Sequence, residues 1–198
     1  TIASSMTMPT ASVRPSSVML LSVKSMPRIK VKVATMDAGM ASAEMMIRGG
    51  LVVAMDGTTG AVRWVFNTIP QGPKDDGWEL VKDTWGGGAM VGGGIWSQPS
   101  VDLDLGMLYV NVSNPTPAYD GSVRKGLNLF TNSIVALKLD TGKLAWHFQM
   151  IHHDIWDYDS VSGPVLFETA ARGGQVKALA TFGKTCYGYI LNRETGVP

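Results

Sequence analysis

Charge is scarce in this chain of 198 residues: Asp, Glu, Lys and Arg make up 17%, and the formal net charge is only +1. Such a balance generates no long-range field, which argues against nucleic acid as a partner. Long apolar runs are missing too. No stretch approaches the ~18 residues that a membrane-spanning helix requires, so no transmembrane segment is expected. Cysteine is reduced to Cys186, which excludes an internal disulfide; its small and apolar neighbours predict a buried, inert thiol. Acidic residues are thinnest at the start, where only Asp37 stands against Arg14, Lys24, Arg28, Lys30 and Lys32 between Thr1 and Ala43. Eight of the twelve methionines also precede residue 47. That composition is similar to a transit peptide without its arginine-rich amphipathic helix. Residues 1–43 are therefore expected to be an atypical or poorly ordered segment, with "RIKVKVATM" its one strand candidate, and residues 44–198 to form the folded domain. The lack of an initiator Met and the turn-like "NRETGVP" at the other end lead us to expect a fragment.

Glycine and tryptophan are plentiful, at 23 and six residues, and the apolar patterning has the period of strands, which predicts an all-β fold. A repeat supports this. "LVVAMDGTTGAVRWVF" (Leu51–Phe66) and "SIVALKLDTGKLAWHF" (Ser133–Phe148) superpose without a gap, and "YGYILNRETGVP" begins a third copy. Each reads as strand, tight turn, strand. The Thr-Gly corner offers a hydroxyl for local hydrogen bonds and a residue that accepts positive φ. A Trp four residues past the Gly (Trp64 after Gly60, Trp146 after Gly142) is placed to pack one sheet on the next. Repeated hairpins of this kind predict a partial β-propeller of two to three blades; a two-sheet sandwich is the alternative.

Titratable chemistry concentrates in "IHHDIWDYDS" (Ile151–Ser160). Adjacent histidines in an extended chain face opposite ways, and neither HExxH nor CxxC accompanies them, so zinc is disfavoured. One of His152 and His153 is read as an orienting hydrogen-bond partner and the other as solvated, with Asp154 structural. "GGGAMVGGGIW" lacks the Lys-Ser/Thr of a phosphate loop, and no helical pattern follows it. Its glycines are expected to let backbone approach a flat cofactor.

The hairpins, "TWGGGAMVGGGIWSQPSVD", "LYVNVSNPTPAYDG", "NLFTNSIVALKLDTGKLAWHFQ" and "HHDIWDYD", in that order, resemble the quinoprotein alcohol dehydrogenases from about Ala43 to Pro198. The resemblance implies an eight-bladed propeller holding pyrroloquinoline quinone (PQQ) and a metal ion, Ca²⁺ or a lanthanide. It implies oxidation of a small alcohol by hydride transfer, electron delivery to a cytochrome c or a quinone, and a periplasmic location. In "AEMMIRG", Ala43 would contact the cofactor and Glu44 would ligate the metal. By the same resemblance Trp96 stacks on the quinone, Asn114 is a metal ligand, Asp157 is both ligand and catalytic base, and Lys184 hydrogen-bonds the quinone. Asp159 resembles the additional carboxylate ligand of lanthanide-dependent members. In a locally extended chain it faces the same side as Asp157.

Departures are Ser113, where the family usually has Gly, and Leu127, where it usually has Asp. The family's adjacent-cysteine disulfide and upstream Arg and Thr are not supplied by residues 1–43. The rival function is a non-catalytic propeller of the outer-membrane assembly-scaffold type, which shares the Thr-Gly-x-x-x-Trp hairpins and acts by binding protein.

Overall fold

The computed structural model describes residues 18–22, 29–34, 50–171 and 173–198. Its strands are β1 (Val18–Ser22), β2 (Ile29–Ala34), β3 (Leu51–Asp56), β4 (Val62–Asn67), β5 (Ser100–Asp102), β6 (Met107–Val112), β7 (Ser133–Lys138), β8 (Leu144–Gln149), β9 (Val165–Ala171), β10 (Gly174–Phe182) and β11 (Gly188–Asn192). A single-turn helix, α1 (Trp78–Val81), lies between β4 and β5. The strands form three antiparallel meanders in chain order, β1–β4, β5–β8 and β9–β11. The expected all-β propeller arc is therefore present. β2 pairs with β3 from Ile29↔Asp56 to Ala34↔Leu51, so segments on either side of residue 43 share one sheet.

The repeated hairpins are β3–β4 and β7–β8, and their corners show why the Thr-Gly pattern recurs. Asp56 Oδ1 accepts hydrogen bonds from the backbone N–H of Thr58 and of Thr59, at 3.0 and 2.9 Å. Those bonds, Thr59 first, hold the Asp56 carboxyl down at about 2. Asn192 Oδ1 takes the same part for Glu194 and Thr195. The middle copy has Lys138 at this place and keeps only the backbone closure, Gly142 N–H to Lys138 O at 2.8 Å. Gly60, Gly142 and Gly196 all have φ between 70° and 75°, the left-handed region that glycine enters without steric cost.

The same glycines carry the contact between sheets. Trp64 Nε1 donates to Leu139 O at 3.1 Å, and Trp146 Nε1 donates to Arg193 O at 3.2 Å. Leu139 and Arg193 each stand three residues before the turn glycine of the following sheet. A Cβ added to Gly142 would lie 2.5 Å from the Trp64 ring, and one added to Gly196 would lie 2.6 Å from the Trp146 ring. Each Trp thus caps the bare Gly of the next corner, as the repeat predicts.

The middle sheet is covered on both faces. Every residue of β6 is buried. Leu108, Val110 and Val112 pack with Val52, Phe66, Trp85 and Phe130 toward the first sheet. Met107 and Tyr109 pack with Ile134, Leu179 and Leu191 toward the third. The strand period of two sorts the side chains between these cores. A buried ion pair adds to the second interface: Arg193 Nε lies 2.6 Å from Asp102 Oδ2, in an orientation that brings the charges together without an aligned hydrogen bond.

Candidate active site

Four loops meet at one end of the sheets: the glycine-rich segment before Trp96, the Ser113–Ala118 loop after β6, the His152–Ser160 loop after β8 and the Gly183–Tyr187 corner after β10. The first two are held by a short backbone ladder. Gly93 N–H bonds Asn114 O at 2.9 Å, Ser113 N–H bonds Gly94 O at 2.9 Å, and Thr116 N–H bonds Val91 O at 3.0 Å. A Cβ on Gly92 would lie 2.7 Å from Asn114 O, so glycine is required there by this chain's own backbone. The sequence points instead to close approach by a flat cofactor. The observed crowding at Gly92, and at Gly86 and Gly88 against Lys125 and Val123, is protein against protein.

Trp96 ends the glycine segment and is 59% exposed. Its indole N–H donates to Ser113 Oγ, which fixes the ring plane. Ser113, one of the two residues at which the chain departs from the family pattern, thus has a definite task. Lys184 Nζ sits 5.8 Å from the centroid of the same ring, within reach of a cation–π attraction.

Lys184 also joins the two carboxylates. Its ammonium donates to Asp157 Oδ2 at 2.8 Å and to Asp159 Oδ2 at 2.6 Å. Those two bonds, Asp157's first, raise the ammonium above its ordinary range. Asp159 is buried, its side chain 6% exposed, whereas that of Asp157 is 32% exposed. Asp159 Oδ1 accepts the backbone N–H of Asn114 at 3.1 Å, which draws the Asn114 loop to the same point. The Asn114 side-chain amide donates to Pro115 O.

Trp96, Asn114, Asp157, Asp159 and Lys184 are therefore brought together. Glu44 and Ala43 lie outside the described residues. Asp157 has φ 63°, so the chain is left-handed here and not extended. From this reversed backbone the carboxylates of Asp157 and Asp159 nonetheless both reach Lys184 Nζ.

The other residues singled out from the sequence divide. His153 Nδ1 lies 2.8 Å from Gly126 O and ties the loop to that segment, while His152 is exposed. Asp154 is fully buried. Cys186 is exposed, contrary to the expectation of a buried thiol. Its N–H closes a tight turn onto Gly183 O, and its φ of 63° turns it out of the adjoining strands. Sequence reasoning missed Arg124, Asn128 and Asn132 altogether. All three are fully buried and polar, and nothing in their spacing marks them.

An exposed ring tethered by its N–H, a lysine beside it and two carboxylates that share the lysine's ammonium thus stand together. Residues 7–198 match the family described as PQQ, the glucose/ethanol/alcohol dehydrogenase beta-propeller domain. The chain belongs to this family. It is 37% identical over 169 residues to the quinohemoprotein alcohol dehydrogenase ADH-IIG of Pseudomonas putida, covering 80% of this chain and 23% of that relative. The putative dehydrogenase XoxF of Paracoccus denitrificans is 37% identical over 115 residues, covering 58% of this chain and 18% of that protein. Among solved structures, the quinohemoprotein alcohol dehydrogenase of Comamonas testosteroni superposes with a TM-score of 0.74 at 29% identity, over 86% of this chain and 26% of that one. A europium-containing methanol dehydrogenase superposes with a TM-score of 0.72 at 28% identity, over 90% of this chain and 32% of that one. The chain spans about a quarter of the length of the curated quinohemoprotein dehydrogenases that it matches.

The residues present fit PQQ and a cation on the structure's own terms. The donors gathered around Lys184 Nζ are all oxygens, which suits a hard ion. Trp96 is more than half exposed, which leaves ring surface available for stacking. Among the described residues no helix is long and apolar enough to cross a membrane.

Proposed function

We propose that the intact protein is a periplasmic PQQ- and metal-dependent dehydrogenase that oxidises a small alcohol to an aldehyde or ketone and passes the electrons to a cytochrome c or a quinone. The observation that carries this reading is the convergence of Asp157 and Asp159 on one positive charge beside the exposed, N–H-tethered ring of Trp96. When bound, PQQ supplies the hydride acceptor and the cation a Lewis acid, neither of which a side chain can replace. Trp96 provides a stacking face, and Lys184 presents a fixed positive charge and N–H donors beside it. Asp157, the more exposed carboxylate, accepts the proton of the alcohol hydroxyl. Position rather than intrinsic basicity sustains this role, because a neighbouring cation lowers the proton affinity of a carboxylate. Asn114, Asp157 and Asp159, with Glu44, furnish the oxygen ligands, and Ala43 borders the cofactor. A scaffold that acts only by binding protein has no use for this set outside the repeats.

Asp159 bears on the choice of ion. Two carboxylates this close repel unless a strong charge separates them, and a trivalent ion offsets more of that repulsion than Ca²⁺. The relative whose name specifies europium is a methanol dehydrogenase. We assign the site to a lanthanide, with Ca²⁺ as the alternative. The experiment reconstitutes metal-free intact protein with PQQ and either Ca²⁺ or La³⁺, for the wild type and Asp159→Ala, and follows dye-linked alcohol oxidation. Activity with La³⁺ that disappears in Asp159→Ala is expected. Equal Ca²⁺-supported activity in both proteins with no response to La³⁺ overturns the lanthanide assignment, and no activity with either ion overturns the dehydrogenase reading.

A further inference from the structure

Asp154 lies three residues before Asp157 and is used by neither the cofactor nor the proposed chemistry. Its carboxylate is buried, yet every bond it makes is directed at the loop that bears Asp157 or at that loop's anchor. Oδ1 accepts the backbone N–H of Trp156 at 2.9 Å, and Oδ2 accepts the backbone N–H of Tyr158 at 2.8 Å. The residue between those two amides is Asp157, with its left-handed φ. Asp154 therefore closes a ring of side chain and backbone around the reversed residue.

The ring is anchored from outside. Asn132 Nδ2 donates to Asp154 Oδ2 at 3.0 Å and to Tyr158 O at 2.9 Å, gripping both ends of the turn. Arg124 Nη2 donates to Asp154 O at 2.6 Å and to Pro117 O at 2.7 Å. It thereby fastens the loop that bears Asp157 to the loop that begins with Ser113. The guanidinium, itself buried, is held in turn by Asn128 Oδ1 at 2.7 Å. Its positive charge also lies near Asp154.

We infer that Asp154, held by Asn132 and Arg124, is a positioning residue that braces the left-handed turn at Asp157 and so sets where the carboxylates of Asp157 and Asp159 are presented to one cation. The inference rests on the proposed function and extends it to residues that touch neither cofactor nor substrate. An extended backbone at Asp157 would also turn the two carboxylates to one side, but from a different position, whereas the left-handed residue is the one from which both reach Lys184 Nζ. Isolated left-handed residues other than glycine cost free energy, and the buried carboxylate with its two amide bonds offsets that cost.

The test uses the intact protein, freed of metal, and reads Tb³⁺ luminescence sensitised by the nearby tryptophans. Variants are Asp157→Asn, Asp154→Ala, Asp154→Asn and Asn132→Gly. The last keeps the backbone, since Asn132 has φ 50° and glycine adopts that angle freely, while it removes the amide. It therefore serves should Asp154→Ala fail to fold. PQQ binding, read by quenching of tryptophan fluorescence, and the melting transition are followed in parallel. Expected are losses of Tb³⁺ affinity of about 10- to 100-fold in Asp154→Ala and Asn132→Gly. PQQ affinity should hold, and in the reconstituted enzyme kcat should fall with KM little changed. Asp154→Asn, which retains one acceptor oxygen, should be intermediate. Wild-type Tb³⁺ affinity in the folded Asp154 and Asn132 variants, with Asp157→Asn impaired, overturns the inference and leaves the proposed function standing. Wild-type affinity and turnover in Asp157→Asn overturn the proposed function, and the inference with it.

Discussion

The hairpin β3–β4 and the loop His152–Ser160 are built by opposite means. In the hairpin, each stabilising contact at the corner is local: Asp56 bonds the amides two and three residues ahead, and Gly60 closes onto Asp56 O. In the loop, Asp157 and its turn are held by Asn132 just before β7, by Arg124 and by Lys184 from the corner after β10. The regular region repeats because its corners are self-sufficient and its Trp needs only the next corner. The site occurs once because it draws on four separate segments. Substitutions in the hairpins should therefore reduce stability and spare chemistry, whereas substitutions in the loop should do the reverse.

The largest effect that can break this comparison is on turnover. Asp157→Asn preserves the shape of the side chain, and Asn tolerates left-handed φ as well as Asp does. The fold should persist while kcat drops by about 10²- to 10⁴-fold, the usual contribution of a positioned general base. Steady-state kinetics on the cofactor-loaded intact enzyme provide the measurement. A kcat close to wild type removes Asp157 from the chemistry.

Next in size is the corner glycine under a tryptophan. Gly142→Ala places a methyl 2.5 Å from the Trp64 ring and strains a residue at φ 70°. Gly106 has a similar φ of 61°, but a Cβ added there would meet nothing within 4 Å. Alanine at Gly106 should cost about 1–2 kcal/mol for the left-handed backbone alone. Alanine at Gly142 should add about 1–3 kcal/mol of overpacking, with activity per folded molecule unchanged. Urea unfolding of the two variants reads the difference directly, and equal midpoints would show that Trp64 does not depend on the bare glycine.

The smallest effect sharpens the account of Ser113. Ser113→Ala removes only the acceptor of the Trp96 indole N–H. A lost hydrogen bond of about 0.5–1.5 kcal/mol should weaken PQQ binding by about two- to tenfold, with stability nearly constant. Fluorescence titration of intact protein with PQQ measures it, and unchanged affinity means that the indole plane is set by packing alone.

The uneven legibility of the chain follows the same division. The corners of the repeat, the burial of Trp64 and the gathering of Trp96, Asn114, Asp157 and Lys184 are readable, the first two from spacing and the last from family resemblance. Asp159 does stand beside Asp157, but not for the reason that the sequence suggests. Alternation along an extended strand predicts convergence, whereas both carboxylates reach Lys184 with the backbone reversed at Asp157. The glycines before Trp96 point to a cofactor, yet Gly92 is bare because Asn114 O lies against it. Cys186 has small and apolar neighbours in sequence, which cannot report that a tight turn carries it to the surface.

By itself the sequence determined the strands, their corners and the order of the blades. Those depend on period-two patterning and on hydrogen bonds between residues two to four apart, which linear spacing encodes. Only the tertiary structure decided the roles of Arg124, Asn132, Asp154 and Ser113. Their partners lie up to 30 residues away along the chain, and a buried hydrogen bond between distant loops leaves no periodic trace. What makes each of these polar side chains tolerable in the interior is a partner that only folding brings within reach.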